Sequence, residues 1–366
     1  MSELPATVYT GELFDDNTAV IVPLDQAHHP AIWAFCSSSH FRQAIRKIDR
    51  SIKVTYPTMV KIPFDLARWE AEAKSLYPKG LPKPFSNDPT QWLFKGDIAT
   101  ADAPHNLQVA MARLLGYRWP DQAADKLDRF TLPEGILSLV AIGTEPTGAE
   151  RLRELLAAAY GPDSSPARQE GLLAAVDFGG KTLQDWLRDG FFEQHCRVFH
   201  NRPFLWHLWD GRKDGFAAVV NYHKLDRRRL ETLVHHHLGL WIKRQRDSVD
   251  RGESGADGRL AAAEDLERRL KLILGGEPPY DIFVRWKPLA QQPIGWEPDL
   301  NDGVRLNIRP FATADVLRRK VPSLHWKKDK GRDPESAPWF SVFKGDRIND
   351  HHLSLAEKQA ARGEKS

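Results

Sequence analysis

The sequence predicts an α+β fold of helices and short strands, with no doubly wound parallel sheet, on three observations. Apolar residues recur at helical spacing along much of the 366 residues, as at Leu230, Leu233, Val234, Leu238 and Trp241. Two apolar runs, Pro203 to Trp209 and Phe216 to Tyr222, flank a short polar loop bounded by glycine, which indicates a β-hairpin. No Gly-x-Gly-x-x-Gly turn joins a strand to a helix, so the fingerprint of dinucleotide-binding folds is missing.

Taken in order, Thr18 to Leu24 reads as a short buried strand. Pro30 suits the first turn of a helix running to about Ile48. Ile32, Trp33, Phe35, Phe41, Ile45 and Ile48 lie on its apolar side, with Arg42, Arg46, Lys47 and Arg50 opposite. Ser51 to Phe64 reads as extended and interrupted by Pro57, and Asp65 caps a helix to about Ser75. Residues 78–105, rich in Pro, Gly, Asn and Asp, read as an irregular connection. Helices follow near 105–116, 148–160 and 166–176, with 118–147 as loop. A helix over 182–199 leads into the hairpin. Asp226 caps a helix to about Asp247, and a charged, Leu- and Ala-rich helix over 258–274 folds back on it. Beyond Gly275 the periodicity fades, and Ser354 to Ser366 reads as a charged, frayed helix. Four regions result: 1–77; a helical connector, 78–180; a helix–hairpin–helix-pair domain, 181–274; and a loop-rich region with many Trp and basic residues, 275–366.

Composition excludes several classes. With 41% apolar residues the chain has enough material for real cores. No apolar run reaches the roughly 18 residues a membrane helix needs, and Met1 to Pro5 has no signal-peptide character. Two cysteines, Cys36 and Cys196, make neither a disulfide framework nor a four-cysteine zinc site, so a cytoplasmic setting is expected. The loops that cradle nucleotide phosphates, the nucleophile elbow and the zinc-helix motif are absent. Gly179-Gly180-Lys181-Thr182 reads as a turn and cap. His235-His236-His237 reads as a solvated helix face, because consecutive side chains diverge by about 100° and cannot meet on one ion.

Two basic, aromatic regions suit a nucleic acid. Between Arg42 and Lys61, six basic residues, including Arg42, Arg46, Lys47, Arg50 and Lys53, face one acid, Asp49. Between Arg305 and Arg347, eleven Lys and Arg stand against five acids, although the whole chain carries only +3. Arg305, Arg309, Lys327 and Lys328 are its candidate DNA contacts. Around them Trp286, Trp296, Trp326 and Trp339 would stack on bases if exposed, or would pack a loop-rich core if not. The loop Trp209-Asp210-Gly211-Arg212-Lys213-Asp214-Gly215 reads as turn chemistry rather than a catalytic pair.

Longer runs carry a resemblance. Ala31-Ile32-Trp33-Ala34-Phe35-Cys36-Ser37-Ser38, Val60-Lys61-Ile62-Pro63-Phe64-Asp65-Leu66 and Asp88-Pro89-Thr90-Gln91-Trp92-Leu93-Phe94 contribute. So do the stretches from Phe199 to Phe204, Trp206 to Phe216, Asn221 to Leu225 and Gly295 to Phe311, and Arg347-Ile348-Asn349-Asp350. Together they resemble large bacterial adenine-specific DNA methyltransferases of BREX and DISARM phage defence and the related type IIG restriction–modification enzymes. The resemblance implies S-adenosylmethionine as cofactor of the complete enzyme, double-stranded DNA as partner, and an Asn-Pro-Pro-Tyr/Phe motif that holds the flipped adenine. Here Glu277-Pro278-Pro279-Tyr280 has Glu in place of Asn, and no methyl-donor motif is seen. The resemblance therefore implies a C-terminal, target-recognition portion with no doubly wound methyltransferase core. Residues 1–77 would be the closing element of a recognition domain, with no catalytic, cofactor or metal residues in the chain. A catalytic portion or other defence subunits would be its partners. An intact enzyme with an unusual site and a protein-docking module are the alternatives.

Overall fold

A computed structural model of the chain describes residues 4, 6–8, 19–50, 54–78, 80–81, 96–119, 122, 124–319, 332–347 and 351–363. Two compact units divide it, residues 1–88 and 89–366.

The first unit is helical. Helix α1, His29–Ser37, carries Pro30 in its first turn and ends where Ser38 turns extended. The Ser38 hydroxyl then accepts a bond from Phe41 N at 3.1 Å and starts α2, Ser39–Ile48. The single helix expected here is thus two, because a side-chain cap at Ser38 offers the backbone an alternative to continuing. Tyr56–Met59 forms α3, one turn with Pro57 near its start, where extended chain was expected. Proline's fixed φ serves a helix start as well as a strand break. Asp65 caps α4, Leu66–Leu76, as expected. Ala31, Ala34, Phe35, Phe41, Ile45, Ile62, Trp69 and Ala73 make this unit's core. The described part of the strand expected over 18–24 forms no strand. Val22 is 69% exposed and Leu24 fully so, and no strand among the described residues covers them.

The second unit wraps helices around a small sheet. Helix α5, Asn106–Leu114, is buried along its whole length. Ile136–Ser138 forms strand β1 inside a stretch expected to be loop. Helices α6, Gly148–Tyr160, and α7, Pro166–Ala174, follow as expected. The helix expected over 182–199 is split into α8, Leu183–Asp189, and α9, Phe191–Val198. Gly190 sits between them so tightly that a Cβ there would come 2.4 Å from the Phe178 ring.

The predicted hairpin is strands β2, Leu205–Trp209, and β3, Ala217–Asn221, antiparallel with Trp206 opposite Val220 and Leu208 opposite Ala218. Strand β1 pairs with the other edge of β3, so the order is β1-β3-β2. Both faces are covered, so the strands read as continuous apolar runs rather than alternating ones. On one face Leu205 N donates to His195 Nε2 of α9 at 3.1 Å. On the other Trp206 stacks on Tyr222 and meets Phe311. The free edge of β2 is continued by residues 316–318. Trp209 N donates to Val316 O, and Arg318 N donates to His207 O.

Asp226 caps α10, Arg227–Thr232, which runs through a wider turn at Leu233–Leu238 into α11, Gly239–Asp250. Helix α12, Ala256–Gly275, returns along α11, with Arg246 bonded to Glu264. Helix α13, Val304–Thr313, buries Asn307, Ile308, Arg309 and Phe311. Two short helices close the described chain, α14, Phe340–Phe343, and α15, Leu355–Arg362. The latter begins in a capping box at Ser354 and Glu357 and buries Lys358, so it is tied down rather than frayed. The fold is mixed helical with a small antiparallel sheet, and no doubly wound methyltransferase core is present among the described residues.

Candidate nucleic-acid interface

A basic face lies on α2. Phe41 and Ile45 point into the first unit's core, which turns the rest of the helix outward. Arg42 and Arg46, four apart and half-buried, share one stripe, and Lys47 and Arg50 beside it are exposed. Lys53 lies outside the described residues. Such a stripe can neutralise consecutive backbone phosphates. Arg46 and Lys47 also stand in the last turn, where cations complement the helix's free carbonyls.

The second region folds inward. Trp296 is fully buried and Trp339 nearly so. The Trp296 indole donates to Asn307 O, and that of Trp339 to Lys287 O at 2.8 Å. Lys287 is held between Asp299 and Asp302 at 3.0 and 2.6 Å. Arg309, expected as a DNA contact, is only 1% exposed. It lies on the inner face of α13 and gives its guanidinium to His352 Nε2 at 2.8 Å. His352 in turn bonds the buried carboxylate of Asp281. Arg309 is therefore a tie to the C-terminal segment. Arg305 and Trp286 are exposed, and Trp326, Lys327 and Lys328 lie outside the described residues. Trp296 and Trp339 pack a core here and offer no face for stacking.

The hairpin loop is built as a turn. Asp210 accepts from Arg212 N at 2.9 Å and from Phe216 N at 2.6 Å. Asp214 pairs with Arg212 at 3.0 Å. Burial raises the Asp210 carboxyl above its usual range, against the two backbone amides, which pull it down. The histidine run divides. His235 and His236 are exposed as expected, but His237 is buried, with Nδ1 3.0 Å from Ser138 Oγ of β1. The wider turn shifts the helical phase and brings that ring inward. Among the described residues no three His, Cys, Asp or Glu side chains converge as a metal site. No described helix is long and apolar enough to cross a membrane.

One site was not foreseen. Between α8 and the hairpin lies a cleft of about 40 Å³ lined by Arg188, Arg212, Lys213, Arg318, His207 and Trp209, among others. The Arg318 guanidinium lies 3.9 Å from the centre of the Trp209 ring. Its Nε donates to Arg188 O and its Nη2 to Asp189 Oδ1. His207 has no exposed surface, and neither ring nitrogen has a hydrogen-bond partner. Burial, reinforced by Arg318, lowers its pKa to about 3. Only a polar residue inside the apolar run Leu205 to Trp209 signalled this place. Its cations come from three distant segments that meet only when 316–318 joins β2.

No protein-family model matches the chain. Over 122 residues, 31% of its length, it is 26% identical to the adenine-specific methyltransferase PglX of Lacticaseibacillus casei (strain Zhang). The match spans a tenth of that protein. Similarity to an adenine-specific methyltransferase is thus established over just under a third of this chain.

Proposed function

We propose that the chain is a DNA-binding portion of an adenine-specific DNA methyltransferase of a phage-defence system. In this reading it engages duplex DNA, while a separate segment or chain supplies the methyl donor site and the adenine-holding motif. The similarity to the adenine-specific methyltransferase carries the reading. Arg42, Arg46 and Lys47 on α2, with Arg50 just beyond its end, support DNA as the partner, since clustered cations on an amphipathic helix suit a phosphate backbone. Arg305 is a further contact in the second unit.

The test is duplex affinity measured against salt. Binding weakens steeply as salt rises. Charge reversal of Arg42, Arg46, Lys47 and Arg50 to Glu weakens it for all sequences alike and flattens the salt slope by about 0.9 for each phosphate no longer neutralised. Undiminished binding by that variant would remove the helix from the interface. A protein-docking role would show instead as salt-independent capture of a catalytic subunit without duplex affinity.

A further inference from the structure

The cleft between α8 and the hairpin has the features of an anion site. Among the described residues no acidic side chain lines it, whereas Arg188, Arg212, Lys213 and Arg318 all do. The acids nearby pair with these cations. Asp185 and Asp189 hold Arg188 at 2.9 and 2.6 Å, Asp189 also holds Arg318 at 2.8 Å, and Asp214 holds Arg212 at 3.0 Å. Each carboxylate engages Nε or Nη2 of its arginine. Among the described residues, Nη1 of Arg188, of Arg212 and of Arg318 makes no hydrogen bond, and Lys213 makes no ion pair. The acids therefore orient the guanidinium planes and leave one donor edge of each unused.

His207 supplies the second, independent observation. It is fully buried, it lines the cleft, and both its nitrogens lack partners. A buried polar group without a partner is costly, so the unsatisfied imidazole lining the cleft points to a ligand there. With its pKa near 3, the ring is neutral at physiological pH and offers one N–H and one acceptor. The volume, about 40 Å³, suits one tetrahedral oxyanion or a few waters.

We propose that this cleft is a phosphate-binding site, in which Arg188, Arg212, Lys213 and Arg318 hold the oxyanion and His207 donates a hydrogen bond to it from the floor. The guanidinium fork matches phosphate oxygens, which favours phosphate over a spherical anion. The phosphate belongs either to a nucleic-acid backbone or to a free phosphate. The proposal rests on the cleft alone and does not need the α2 face.

The test uses the full chain and inorganic phosphate, with chloride at matched ionic strength as reference. Titration calorimetry gives saturable binding with a dissociation constant of about 1 mM or tighter. Nitrogen-15 spectra of histidine-labelled protein show the His207 imidazole signal moving with phosphate and not with chloride. Arg212→Gln with Lys213→Gln, both on the exposed loop, weakens phosphate about tenfold or more. If the source is a nucleic-acid backbone, phosphate competes with duplex DNA and the double variant loses duplex affinity. If the source is free phosphate, phosphate binds while duplex affinity stays as in the parent. Either pattern supports the site. A flat titration with an unmoved His207 signal overturns it, as does undiminished phosphate affinity in the double variant. The α2 charge reversal leaves phosphate binding intact, so the two proposals fail separately.

Discussion

The Arg113 guanidinium, buried at the end of α5, grips both oxygens of the Asp125 carboxylate at 2.8 and 2.6 Å. It also reaches Asp128 at 3.0 Å and Gly96 O at 3.1 Å. This fixes the loop before β1 to the helix. The partners are unequal, since Arg113 is 3% exposed and Asp125 42%. Removing the arginine leaves acids that water reaches, whereas removing the acids strands a buried cation. The Asp125→Ala, Asp128→Ala double variant should therefore lose about 3–5 kcal/mol, more than Arg113→Met. Urea unfolding of both proteins decides it, and a smaller loss from the double variant refutes the asymmetry. The hydrogen bond to Arg113 also holds the Asp125 carboxyl below its usual value. Its contribution is complete above about pH 4 and disappears as acid protonates it in the folded state.

His195 and His207 make folding acid-sensitive. His195 Nδ1 faces Gln108 Oε1 at 3.0 Å while Nε2 accepts from Leu205 N, so the ring is held as the neutral tautomer with its proton on Nδ1. Burial lowers the pKa of each ring to about 3. An unfolded histidine titrates near 6.5, so unfolding takes up protons between these values. Stability is full above about pH 6.5 and falls as pH drops, by up to about 1.4 kcal/mol per pH unit for each ring. His195→Gln should flatten that slope by one proton. An unchanged slope would show that His195 does not drive it.

The helices and the hairpin were legible because their signals are local. Asp65 and Asp226 mark caps, and the runs on either side of Asp210 to Gly215 mark paired strands. Strand β1 was not legible, since three residues, Ile136 to Ser138, carry too little pattern, and their partner Val219 lies about eighty positions on. The tryptophans beside cations were ambiguous for a different reason. Whether Trp296 stacks on a base or packs edge-on against Phe311 depends on what α13 buries, which no local spacing states. Likewise Arg309 is indistinguishable from Arg305 until the inner face of α13 is known.

The hairpin turn should fail at Asp210 before Asp214. Asp210→Ala leaves the buried amide of Phe216 without its acceptor, a loss of about 1–3 kcal/mol. Asp214→Asn weakens only its ion pairs with Arg212 and Arg259 at the surface and costs under about 1 kcal/mol. Gly215→Ala should resemble the Asp210 variant, because its Cβ would lie 2.2 Å from Oδ2 of a carboxylate whose two oxygens are each pinned by an amide. Thermal unfolding of the three variants should rank them so; equal effects from Asp210→Ala and Asp214→Asn would contradict the assignment.

Purified alone, the chain should transfer no methyl group to DNA. An adenine-holding motif needs a side-chain amide aimed at the base beside a free aromatic face. At the nearest match, Glu277 accepts the amide of Leu355 at 3.4 Å, and Tyr280 packs against the core. The described sheet is three antiparallel strands, so no row of parallel strand ends is available to carry a methyl donor. Under the proposed reading, a separately supplied catalytic portion restores methylation, and the chain contributes duplex affinity to it. The measurement is transfer of labelled methyl groups from S-adenosylmethionine to duplex DNA, with this chain, with the catalytic portion, and with both. Labelling by this chain alone would mean that it contains a catalytic site, and the accessory reading would be wrong.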